Sequence, residues 1–151
     1  MKSLLAITFK LVIINYFVAG AVISSILQFI ANTCLVQNDH IYRSAQKVEW
    51  GYAFDIHCNA FFPFFLCVYV VQFCFLPLTT GPLIRLVIGN LVYVLGAWMY
   101  VYISYLGYCA LPFLHLQVVI LYPFVALLLG SLVISFAFNF NISHHVLDYY
   151  F

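Results

Sequence analysis

The chain has 151 residues, 67% of them hydrophobic and only 6% charged, with a formal net charge of +1 and a mean hydropathy of +1.12. Soluble domains are about 25% charged, so this composition excludes a water-solvated globule, and the near-neutral charge excludes a basic face for nucleic-acid phosphates. Lipid is the solvent that fits. There every backbone N–H and C=O needs an internal partner, and long unbroken apolar runs predict helices rather than barrel strands.

The predicted fold is all-α, a polytopic transmembrane bundle of about four spans forming a single membrane domain, 1–151. The first span, 11–36, is uncharged and follows Lys10. It is longer than the roughly 7 to 15 apolar residues of a signal-peptide core, although Val18-Ala19-Gly20-Ala21 has the small residues of a cleavage site. A polar loop, 37–58, comes next and carries Asp39, His40, Arg43, Lys47, Glu49, Asp55 and His57. The second span is predicted over 59–78, because a start after Pro63 leaves too few residues before Leu78 for the roughly 20 a bilayer core needs. Pro63 then falls in the first turns, where a missing N–H costs least.

Thr79-Thr80-Gly81-Pro82 reads as a turn, and Arg85 precedes the third span, 86–106. Gly107 to His115 reads as the last connection, and 116–138 as the fourth span, with Pro123 as a kink. Tyr93, Tyr100, Tyr102, Tyr105 and Tyr108, with Trp98 among them, thicken toward the end of the third span as an interfacial belt does. Lys2, Lys10 and Arg85 on the terminal side stand against Arg43 and Lys47 on the other, which sets no orientation.

Candidate chemistry is sparse. The five cysteines lie mostly in apolar runs and read as small hydrophobes. His144-His145 is a weak metal signal, since a site needs three or four convergent ligands. Asn141-Ile142-Ser143 matches a glycosylation sequon, expected to stay unused so close to the bilayer. Asn15, Gln28, Gln72, Asn90, Gln117, Ser131 and Ser135 suit hydrogen bonding between helices, and Gly20 with Ser24, Ala21 with Ser25 and Ser131 with Ser135 suit close helix approach. The chain contains no nucleophile elbow, phosphate loop, His-Glu-x-x-His or dinucleotide fingerprint. No catalytic, cofactor-binding or metal residue is predicted.

The most informative stretch is Val48 to Pro63, read as an interfacial amphipathic helix feeding the second span. At helical spacing Tyr52, Asp55 and Asn59 make one polar stripe, and Trp50, Phe54, Cys58, Phe61 and Phe65 make an apolar one. Asp55 and His57, two apart, diverge by about 200°, which argues against a shared metal or acid/base centre.

The block from Val48 to Phe61, together with Leu106-Gly107-Tyr108-Cys109-Ala110-Leu111-Pro112-Phe113-Leu114 and Leu121-Tyr122-Pro123-Phe124, resembles the uncoordinated-fifty (Unc-fifty) family of membrane proteins. The resemblance runs from about Leu11 to Phe140 and implies a non-enzymatic, multi-span protein of the early secretory pathway. Its expected location is the Golgi membrane, and for some members the endoplasmic reticulum or inner nuclear membrane. It also implies receptor cargo and an Arf guanine-nucleotide exchange factor as partners, with 37–58 facing the cytosol and both termini lumenal. Members are usually longer at the N-terminus, so this chain is expected to be truncated or reduced. On this reading Tyr52, Asp55 and Asn59 are the candidate partner-docking residues. The alternative is a small transporter or channel with Asp55 and His57 lining a polar path.

Overall fold

The computed structural model describes residues 9–36, 46–75 and 82–137. The turn at Thr79-Thr80-Gly81, the polar interval's Arg43, and the tail with Asn141, His144 and His145 lie outside them. Four helices account for nearly all of the described chain: α1, Lys10–Leu35; α2, Trp50–Val71, continued by Gln72–Phe75; α3, Pro82–Cys109; and α4, Val118–Ala137. All four are long and apolar enough to cross a membrane. The 26 residues of α1 are α-helical over Ala19–Ile30 and wound in wide i→i+5 turns over Lys10–Val18 and Ala31–Leu35. Phe29, Phe62, Leu91, Tyr122 and Val133 all point outward, as expected where the surrounding solvent is lipid.

The helices pack in chain order, α1 on α2, α2 on α3 and α3 on α4. A buried cluster of Leu27, Ala31, Leu35, Val48, Ala53, Ile56, Tyr108, Leu114 and Ile120 fills the end of the bundle where α1 and α3 finish and α2 and α4 begin. That end is also tied by backbone. Val36 forms an antiparallel bridge with Leu114, and the His115 N–H donates to the Leu35 carbonyl at 2.8 Å.

Three of the predicted spans differ from the observed helices only at their ends. The second starts earlier: its helix begins at Trp50, so the interfacial helix read over Val48 to Pro63 and the second span are one continuous helix, and residues 50–58 of the polar interval belong to α2. The physical reason is a clasp from α1. Asn32 accepts from the Val48 N–H at 2.8 Å and donates to the Val48 carbonyl at 3.0 Å, and Gln28 donates to the same carbonyl at 3.1 Å. With Val48 held and buried, the next residues have their backbone satisfied by helix at once. Pro63 consequently lies well inside α2 rather than in its first turns, depriving the Asn59 carbonyl of its usual N–H partner. From Leu66 to Val71 the helix opens into wide i→i+5 turns.

Gly107 and Tyr108 end the third helix rather than starting a connection. Gly107 is there for clearance: a Cβ on it would lie 2.7 Å from Ile56 Cγ1. The turn into α4 uses Leu116 in the left-handed region, φ 56°. Gln117, expected inside a span, precedes α4 and donates to the Leu114 carbonyl. The expected interhelical hydrogen bond is present between Asn90 of α3 and Ser135 of α4.

Candidate functional site

Because α2 touches both α1 and α3, its residues sort by azimuth into three sets. The first faces α1. Trp50 stacks on Phe54 with ring centroids 5.2 Å apart, and Phe54 in turn stacks on Phe17 of α1 at 6.3 Å. The Trp50 indole N–H donates to Ser25 Oγ at 3.0 Å, and Ser24 Oγ donates to the Ala53 carbonyl at 3.2 Å. Gly20, Ser24 and Ser25 therefore act as the small residues that let α2 approach α1.

The second set is buried between α1 and α3, and its centre is His57, which is 3% exposed. Its Nε2 lies 3.1 Å from the Tyr16 carbonyl and its Nδ1 lies 2.6 Å from the Tyr100 hydroxyl. A carbonyl oxygen only accepts, so Nε2 carries the proton and Nδ1 accepts from Tyr100. The ring reaches the α1 backbone only because residue 20 is glycine: a Cβ there would lie 2.4 Å from Nε2. In a helix the residue at i+4 covers the carbonyl at i, so Gly20 uncovers Tyr16. Sequence reasoning placed His57 opposite Asp55, which the structure bears out, but gave it no partners. Gly20, one helix away, is the residue that makes room for it, and it lies too far along the chain to be a local signal.

The third set is exposed: Gly51, Asp55, Asn59, Phe62, Leu66 and Val70, at steps of three and four, form one outward stripe along α2. Asn59 Nδ2 donates to Asp55 Oδ2 at 3.3 Å. Asp55 is level with the last turn of α3, since its neighbours Tyr52 and Ile56 both meet Gly107. The candidate docking residues therefore divide. Asp55 and Asn59 share the outer face, whereas the Tyr52 hydroxyl turns inward and donates to the Gly107 carbonyl at 2.8 Å. Asp55 and His57 line no common path.

A cavity of about 360 Å³ lies where α1 and α4 face each other across α2 and α3. Asn15, His57 and Tyr100 supply its polar atoms, and Ile23, Phe61 and Phe124 are among its apolar walls. Among the described residues no three His, Cys, Asp or Glu side chains converge on a point.

Four lipid-facing helices, interlocked by glycine clearances and a handful of interhelical hydrogen bonds, define a polytopic helical membrane protein. No solved structure matches the chain. The whole of it, residues 1–151, matches the UNC-50 family, and the chain belongs to that family. It is 37% identical to the unc-50 homolog of Dictyostelium discoideum over 150 residues, 99% of this chain and 57% of that protein. It is 36% identical to the human unc-50 homolog over 141 residues, 92% of this chain and 53% of the relative. It is also 37% identical to the GMH1 homolog of Schizosaccharomyces pombe, covering 96% of this chain and 62% of the relative. The chain thus spans little more than half the length of these relatives. None of the three names carries an enzyme designation.

Proposed function

We propose that this protein is a non-enzymatic component of the Golgi membrane that supports vesicular trafficking and surface delivery of receptors by docking an Arf exchange factor. Family membership supports the class of role. The observation that carries the docking surface is the exposed Asp55–Asn59 pair on the outer face of α2, in the first three turns of that helix. A carboxylate there stays hydrated among headgroups and is available to a cationic group on a partner. Lys47 and Glu49, both exposed just ahead of α2, extend the polar surface.

This reading orients the end of the bundle holding Trp50 and Cys109 toward the cytosol. Co-precipitation of the exchange factor from cells expressing wild type, Asp55→Asn, Asn59→Leu and Tyr52→Phe at matched levels tests it. Reduced recovery is expected for the first two variants and wild-type recovery for the third. Equal recovery by all four removes the docking surface.

A further inference from the structure

A second hollow opens on the outer side of the bundle, beside the Asp55–Asn59 pair. It is a groove of about 390 Å³ between Leu11 and Val12 of α1 and Phe61, Phe62 and Phe65 of α2. Val12 and Phe62 are exposed, so its open side faces lipid. Cys58 and Tyr16, whose thiol and hydroxyl bond each other, form its polar end. On α2 the groove runs from Cys58 to Phe65, about 10 Å at 1.5 Å per residue. An apolar groove of this kind takes an acyl chain, and every phospholipid has one. Selection lies in what stands at its head.

Phe62 lines the groove and also belongs to the outer stripe, one turn from Asn59. The acceptors of Asp55 and Asn59 therefore stand over the end of the groove nearer the start of α2. Among the described residues the only group bonded to the Asp55 carboxylate is the Asn59 amide, and a carboxylate accepts at several sites beyond that one. The Asn59 side-chain oxygen is a further acceptor, and its backbone carbonyl lacks the helical donor that Pro63 cannot supply. Such a head carries negative charge and many lone pairs, and it calls for a cation with several N–H groups. A primary ammonium offers them, whereas a choline headgroup has none. A serine headgroup adds a carboxylate, which Asp55 repels.

We propose that this place binds phosphatidylethanolamine, with its ammonium on Asp55 and Asn59 and one acyl chain in the groove between α1 and α2. The site needs no partner protein, and it rests on the docking reading only in setting Asp55 at the level of the headgroups.

The test uses the purified full chain, released from vesicles and weighed with its bound lipid by native mass spectrometry. The vesicles hold equal parts of phosphatidylethanolamine, its monomethyl and dimethyl derivatives and phosphatidylcholine, all with the same acyl chains. Retention is expected to fall with each N–H lost, by about tenfold across the series, the factor that 1.4 kcal/mol of lost binding gives. Asp55→Asn should level the series at the phosphatidylcholine value. Val12→Trp, at an exposed wall of the groove, narrows it and should reduce retention of every lipid in the series while the thermal midpoint holds. Equal retention across the series, a series that survives Asp55→Asn, or retention unchanged in folded Val12→Trp overturns the assignment. No exchange factor is present, so failure here leaves docking intact, and failed docking leaves this site intact.

Discussion

The inner and outer faces of α2 are drawn from the same sixteen residues, Trp50–Phe65, yet they obey different rules. On the inner face Tyr52, Ile56 and His57 each meet a glycine or a backbone carbonyl of a neighbouring helix at a distance that leaves no slack. On the outer face Gly51, Asp55 and Asn59 are exposed, Asn59 bonds Asp55, and a Cβ on Gly51 would touch nothing described within 4 Å. The difference teaches that polarity in a transmembrane helix has two meanings. A buried polar side chain such as His57 is a fastener between helices, and an exposed one such as Asp55 near the bundle's end is available to something outside.

Substitutions that exchange these rules break the comparison most severely. Gly20→Val places a branched side chain where the His57 ring sits, and overpacking of this kind costs up to about 3 kcal/mol. A large drop in the thermal midpoint of the detergent-solubilised protein is expected. His57→Leu keeps the bulk and strips both hydrogen bonds, leaving the Tyr16 carbonyl and the Tyr100 hydroxyl without their partner. Interhelical bonds of this type contribute about 0.6 kcal/mol on average and up to about 1.7, so a loss of about 1 to 2 kcal/mol is expected by denaturant titration. Because Gly20 and His57 touch, Gly20→Ala combined with His57→Ala should cost clearly less than the sum of the two single changes.

Tyr52→Phe removes one hydroxyl from the inner face and is expected to cost about 0.6 kcal/mol, with partner recovery unchanged. It sharpens the comparison, since Tyr52 belongs to the polar stripe by spacing but to the interior by contact. Asp55→Asn is the smallest change in stability, within about 0.5 kcal/mol as for most surface positions, while partner recovery falls. Equal thermal midpoints with unequal recovery are the signature that separates the outer face from the inner.

Much of the architecture was legible because uncharged runs of sufficient length have one plausible fate in lipid, and α1, α3 and α4 lie where those runs lie. Length sets the start of the second span at 59, with Val48 to Pro63 as an interfacial helix leading into it, and the structure joins the two into one helix from Trp50. That helix disperses the ionisable groups: Glu49 precedes it, Asp55 points out, and His57 points in and is bonded. The apolar stripe Trp50, Phe54, Cys58, Phe61, Phe65, read as one helix face, runs unbroken through Asn59, so the helix was legible and only the point where the span begins was not. The partners of His57 were not legible. One is a main-chain carbonyl and the other a tyrosine 43 residues away, and neither leaves a mark at local spacing. The cavity is likewise a product of all four helices and belongs to no single stretch of sequence.

The clasp of Asn32 on Val48 has a consequence for how length is distributed along the chain. Val36 is bridged to Leu114, and Val48 is bonded to a residue one turn earlier on α1, so Val36 and Val48 are held close together. A connection with its two ends pinned together is thermodynamically a closed ring, and each doubling of a ring's length costs only about 0.6 kcal/mol of closure entropy. Because the two pins fix the ends of α1 and α2 by themselves, lengthening the connection between them is expected to leave the register of both helices unchanged. An epitope inserted there is expected to leave the thermal midpoint of the detergent-solubilised protein unchanged.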